Sequence, residues 1–181
     1  MIFLAAVAAL VTTSVLQSPA KPSESAPKPS VARYGGRSLS SDERSLVALI
    51  NASRQRSGLA PLRVDSTLAA VAFEHSADMA QRGYFDHEAP GPEASTPLSR
   101  YIKGLGYQPQ RITIAENIYY ASALGDSPSI AIKANNGFMA SSGHRSNVLG
   151  PSFEAVGVGV YKSSTGGWWV TEVFATTTDG T

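Results

Sequence analysis

The sequence predicts an α+β fold in which three or four helices pack on a small antiparallel sheet. Two patterns carry this reading. Segments with apolar residues at helical spacing, most with their own cap residues, recur from Ser40 to Asn147. The last third then alternates small and branched residues in Ala155-Val156-Gly157-Val158-Gly159-Val160-Tyr161. It turns through Ser163-Ser164-Thr165-Gly166-Gly167 and returns as the aromatic-rich stretch Trp168 to Phe174. With 181 residues, 43% of them hydrophobic, the chain has room for one ordinary domain with a real core. Helices gathered against such a sheet make an α+β sandwich.

Three segments are expected. Residues 1–20 carry an apolar block from Ile2 to Leu10 and end in Ser18-Pro19-Ala20, which fits a secretory signal peptide, although no Lys or Arg stands near Met1. An uncleaved N-terminal hydrophobic anchor is the alternative, and either places the rest outside the cytoplasm. Residues 21–38 (KPSESAPKPSVARYGGRS) hold little that a core would bury and read as a Pro/Ser-rich disordered linker. The folded domain is expected over 39–178. The net charge of +1 divides into +3 over residues 21–37 and −2 over the remainder. A slightly acidic domain lacks the electrostatic footprint of a nucleic-acid binder, whereas the basic linker could touch an anionic cell envelope. With no cysteine in the chain, any metal must be held by histidine and carboxylate.

The first helix opens on the Ser-x-x-Glu capping box Ser40-Ser41-Asp42-Glu43 and stops at Gly58. A second follows the N-cap Asp65, turns Leu68, Val71, Ala72, His75 and Met79 to one face, and ends at Gly83. On that stripe His75 reads as a core histidine with one hydrogen-bond partner. Tyr84 and Phe85 are expected to anchor a loop that turns Asp86-His87-Glu88 outward. A short helix runs from Thr96-Pro97 to about Lys103, closed by Gly104 and Gly106. Ser127-Pro128 is expected to start another, which presents Ile130, Ala131, Ala134 and Phe138 inward and reaches the stretch around Ser141, with its continuation through Gly143 left open. That continuation would put Ser141 and His144 on one face, with Asn147 a turn further on. The bare face left by Gly157 and Gly159 should let another element lie close against the sheet.

The chemistry gathers at Phe138-Met139-Ala140-Ser141-Ser142-Gly143-His144-Arg145-Ser146-Asn147-Val148-Leu149. Polar groups this dense between apolar anchors form either a buried hydrogen-bond knot or the floor of a cleft. Glu116 lies inside the apolar run Ile112 to Tyr120 and must be paired, bound to a cation, or accepting several donors. Tying down a neighbouring loop is as good a reading of it as a functional role. His87 between Asp86 and Glu88 is weak evidence of function by itself.

In order, Leu49-Ile50-Asn51-x-x-Arg54, Gly58-Leu59-Ala60-Pro61-Leu62-Arg63-Val64-Asp65, Leu68-x-x-x-Ala72 and Tyr84-Phe85-Asp86-His87 are followed by Ala115-Glu116-Asn117-Ile118. Phe138-Met139-x-Ser141-x-Gly143-His144-Arg145-x-Asn147-Val148-Leu149, Phe153-x-x-Val156-Gly157-Val158-Gly159 and Trp169-Val170-Thr171-Glu172-Val173-Phe174 complete the series. The whole resembles bacterial CAP domains of the SCP/PR-1 superfamily over about residues 42–176. The resemblance implies an α-β-α sandwich with a central antiparallel sheet and an open cleft. It also implies that His87, Glu116 and His144 are the cleft residues able to hold a divalent cation, often zinc. Phe138 and Ser141 stand where many eukaryotic members have a tryptophan and a second glutamate, so the metal set is incomplete and zinc is expected to bind weakly.

Two imidazoles and one carboxylate are a plausible zinc set with an open fourth position, but no His-Glu-x-x-His is present. The expectation is a secreted or envelope-associated, monomeric binding module, leaning non-catalytic. Ser141, Asn117, Asn147 and Arg145 would support the cleft, and the ligand would be an extracellular lipid, glycan or peptide. The alternative is an extracellular hydrolase using metal or a Ser141–His144 pair oriented by Glu116.

Overall fold

The structure is a computed structural model and is described for residues 6–8, 12–14, 37–91 and 96–178. The expected linker lies outside these residues apart from Arg37 and Ser38, and so does most of the expected leader. The elements in chain order are β1 (Ala6–Ala8), β2 (Thr12–Ser14), α1 (Ser41–Arg56), β3 (Arg63–Val64), α2 (Ser66–Arg82) and α3 (Pro97–Leu105). They continue with β4 (Arg111–Ala121), α4 (Ile130–Ala140), α5 (Ser142–Val148), β5 (Ala155–Lys162) and β6 (Trp168–Thr178). Among the described residues, no helix is long and apolar enough to cross a membrane.

One sheet organises the molecule, with β6 at its centre between β4 and β5, both antiparallel to it. β3 extends the sheet beyond β5 and runs parallel to it, so the sheet is mixed rather than purely antiparallel. Arg63 N–H donates to Glu154 O and Asp65 N–H to Val156 O, both at 3.0 Å. A two-residue strand has no periodicity for a sequence to display. At the other side, β1 and β2 pair antiparallel with β4.

α2 and α3 cover one face over a core of Leu68, Ala72, Tyr101, Ile114 and Val173. α1, α4 and α5 cover the other over Leu46, Ile50, Tyr119, Phe138 and Phe174. Strand alternation assigns the chemistry: Glu116 faces the α2 side and its neighbour Asn117 the α5 side. The approach of α2 depends on the two bare glycines of β5. A Cβ built on Gly157 would lie 2.0 Å from Leu68 C, and one on Gly159 2.2 Å from Phe73 N. Backbone meets backbone there, and no side chain fits between.

The caps follow their chemistry. Glu43 and Ser40 close a reciprocal capping box on α1. Asp65 Oδ1 accepts from Thr67 and Leu68 N–H at 3.0 Å to start α2, and Gly83 ends it at φ 71°. α4 starts two residues later than Ser127-Pro128 suggests. Ser129 is its N-cap, with a hydroxyl accepting from Ile132 N–H at 3.3 Å, while the Ser127 hydroxyl donates to Ser129 O. Nor does the helix run on through Gly143: Ser141 is extended at φ −93°, ψ 125°, and α5 begins after it.

α1 also carries a buried guanidinium. Arg54 Nε donates to Ala60 O, and Nη1 to Val148 O and Gly150 O, each at 2.9 Å. Its other arm reaches Phe153 O at 3.5 Å. One planar fork thus ties α1 to the turn between α5 and β5, which fixes α5 against the sheet.

Candidate functional site

The apolar run Arg111–Ala121 forms β4 and buries Glu116 completely. A carboxylate there needs donors from neighbouring elements, and it has them. His87, on the loop after α2, places Nδ1 2.9 Å from Glu116 Oε1. Arg100, in the middle of α3, donates from Nη2 to Glu116 Oε2 at 2.7 Å and from Nη1 to His87 O at 3.0 Å. The guanidinium therefore holds both members of the His87–Glu116 pair. Burial pushes the Glu116 carboxyl up, but the His87 hydrogen bond and the Arg100 charge outweigh it and hold it below the usual carboxylate value.

His75 comes from α2 to the same carboxylate, with Nε2 3.6 Å from Glu116 Oε1, beyond hydrogen-bonding distance. That nitrogen instead donates to Asp86 O at 3.1 Å. Burial pushes the His75 pKa down to about 4, more than the Glu116 charge raises it. His75 is therefore a neutral ring at physiological pH, and the positive charge balancing Glu116 comes from Arg100.

Glu116 accepts, so His87 Nδ1 donates, and in the neutral tautomer that does so the lone pair is on Nε2. That nitrogen is buried and has no hydrogen-bond partner among the described residues. A carboxylate behind a histidine with its outer nitrogen unengaged is the outer-shell arrangement found behind metal-binding histidines.

The other face of β4 holds a second network. Asn117 Nδ2 donates to Glu172 Oε2 at 2.9 Å, directly across the ladder, and to His144 O at 3.2 Å. Asn147 Nδ2 donates to Asn117 Oδ1 at 2.9 Å and reaches Glu116 O at 3.4 Å. The amides thus pin α5 to β4. The His144 ring is fully buried and packs edge-on against Phe138, their centroids 5.3 Å apart. Glu172 is fully buried too, and its Oε1 has no partner among the described residues. Burial pushes its pKa up to about 8, with the Asn117 hydrogen bond acting the other way.

Of the residues singled out from sequence, His87 and Glu116 meet directly, while Asn117 and Asn147 form the support beneath His144. Ser141 is the extended N-cap of α5 and makes no side-chain capping bond. No hydrogen bond joins it to His144 among the described residues. The break after α4 removes the shared helix face on which that pairing relied. Arg145 is exposed on α5. Among the described residues, no group of three His, Asp or Glu side chains is arranged to hold a metal ion. Glu116 has both oxygens engaged, and the His144 ring packs on the α4 side. Sequence reasoning did not find Arg100 or Glu172. Glu172 carried the same signal as Glu116, an acid inside an apolar strand; Arg100 carried none beyond the need of Glu116 for a partner.

The order of elements and the two-sided covering of the sheet fit one family, and residues 47–174 match the model of the cysteine-rich secretory protein family, CAP. The chain belongs to the CAP family. It is 37% identical over 126 residues to the protein YkwD of Bacillus subtilis, a match covering 70% of this chain and 45% of YkwD. The membrane protein YlbC of the same organism is 34% identical over 119 residues, covering 65% of this chain and 31% of YlbC. The chain thus spans less than half the length of these curated relatives. Among solved structures, an extracellular SCP-domain protein of Bacillus anthracis aligns with a TM-score of 0.59 and 31% identity, over 74% of this chain and 39% of that one. An outer surface protein of Borrelia burgdorferi aligns with a TM-score of 0.63 over 79% of this chain and 99% of its own, and at 19% identity it speaks to the fold alone. This CAP domain keeps the fold without a single cysteine.

Proposed function

We propose that this CAP domain is an extracellular binding module. His87, Glu116 and Arg100 on one side of β4, and Asn117, Asn147 and His144 on the other, stiffen the rim of its ligand groove. The observation that carries this is the full engagement of Glu116 by His87 and Arg100. A carboxylate committed in this way is a poor general base and a poor metal ligand, so it acts as a clamp. The hydrolase reading needs a nucleophile in contact with a base, and Ser141 at a helix junction without a hydrogen bond to His144 gives it no support. An extracellular setting is supported by the related Bacillus anthracis protein, which is described as extracellular.

A divalent cation is held weakly in this reading, with His87 Nε2 as its ligand. Calorimetric titration of zinc into the full chain, beside the His87→Ala/His144→Ala double variant, tests it. The expected result is weak heat in the full chain that falls further in the double variant. Tight stoichiometric binding that disappears in the double variant would overturn the clamp reading and return the cleft to metal chemistry.

A further inference from the structure

β4 is the edge strand of the sheet formed by β3 to β6, and residues 112–119 along it contain no proline, no lysine and no charge except Glu116. That acid is turned inward onto Arg100. Exposed edges normally carry such guards, because a row of unpaired N–H and C=O groups invites another strand. Here the edge is instead covered by the chain's own N-terminal segment. Ala6, Val7 and Ala8 pair with Tyr119, Ile118 and Asn117, and Thr12, Thr13 and Ser14 pair with Ile114, Thr113 and Ile112. The register shifts by one residue between the two pairings, at the level of Ala115 and Glu116. α5, which bears His144 and Asn147, lies against β1.

We propose that the outer edge of β4 is a strand-acceptor site, whose ligand is an extended, uncharged peptide segment of small and β-branched residues running antiparallel to β4. Residues 6–8 and 12–14 are the chain's own occupants of that site, and a peptide of like chemistry takes their place when they are absent. Main-chain hydrogen bonds to β4 supply the affinity, and α5 bounds the side-chain positions near Asn117. The inference rests on the binding-module reading and gives its ligand a chemical class. A bound strand crosses Glu116 and Asn117, the two residues that organise the rim.

The test uses the full chain and the variant Val7→Pro/Thr13→Pro, in which the segment cannot complete its ladder. Amide hydrogen exchange is read for residues 112–119. In the full chain, the amides pointing away from β6 should exchange as slowly as those facing it. In the proline variant the outward set should speed up by at least roughly tenfold, while the β6-facing set stays slow and reports an intact domain. A synthetic peptide of residues 5–15 added to the variant should restore outward protection, and the same peptide carrying both prolines should not. Unchanged exchange in the variant, no restoration by the peptide, or equal restoration by the proline peptide would each overturn the proposal. The zinc titration reads the cleft and this experiment reads only the edge, so either can fail alone.

Discussion

Arg100 Nη2 lies 2.7 Å from Glu116 Oε2, and Glu116 is completely buried. Breaking such a pair from one side leaves an uncompensated charge in the core, at about 3–5 kcal/mol. The Arg100→Met variant should therefore lose stability on that scale in chemical denaturation. Glu116→Gln/Arg100→Met should recover much of it, since no charge then remains to be buried. A double variant as unstable as the sum of its single changes would mean that the two side chains are not coupled.

How far the sequence carried the structure follows from what each residue needed. The box of Ser40 and Glu43, the cap of Asp65 and the stop at Gly83 depend on residues within a few positions, and all are as expected. The close approach at Gly157 and Gly159 was also legible, because a missing side chain admits a neighbour whatever that neighbour is. Glu116 announced that it required a partner but not which one, since Arg100 reaches it through a fold-level contact 16 positions away. The break at Ser141 depends on how α5 is pinned by Asn117 and Asn147. No local pattern encodes that.

Glu172 is expected to set the alkaline limb of stability. Folded, it keeps its proton up to about pH 8; unfolded, it releases it near its ordinary value of 4.5. Its contribution is fully present below 4.5 and is lost as pH rises towards 8. His75 runs the other way: its folded pKa of about 4 lies below the ordinary 6.5, so stability is lost as pH falls from 6.5 to 4. Between 4.5 and 6.5 the two slopes oppose each other, and the fall from Glu172 should stand alone between 6.5 and 8. Thermal midpoints of the wild type should decline there, and those of Glu172→Gln should stay level, because a glutamine cannot ionise. A parallel decline in the variant would assign the alkaline limb to another group.

Gly159 and Gly166 separate two ways in which a glycine is required. A methyl at Gly159 would stand 2.2 Å from Phe73 N and 2.3 Å from Ala72 C, where only backbone could give way. Gly159→Ala should therefore cost about 3 kcal/mol, the upper end of overpacking. Gly166 has open space around it but a φ of +94°, so Gly166→Ala should cost only about 1 kcal/mol, through backbone strain. Equal losses in urea unfolding would show that α2 is free to retreat from the sheet.

Arg54 carries the last prediction, because its role is geometric rather than ionic. Its fork donates to carbonyls of Ala60, Val148, Gly150 and Phe153, on two separate stretches of the chain. In Arg54→Met the volume is kept but those carbonyls lose a donor, each at about 1–3 kcal/mol where it stays dry. A loss of at least about 3 kcal/mol is expected, with faster amide exchange in the turn between α5 and β5. Arg54→Lys keeps the charge and three donors, yet a single ammonium cannot span carbonyls on either side of it. It should recover less than half of that loss. If lysine restored full stability, charge alone would explain the site, and the tie that fixes α5, and with it His144, against β4 would not depend on the planar fork.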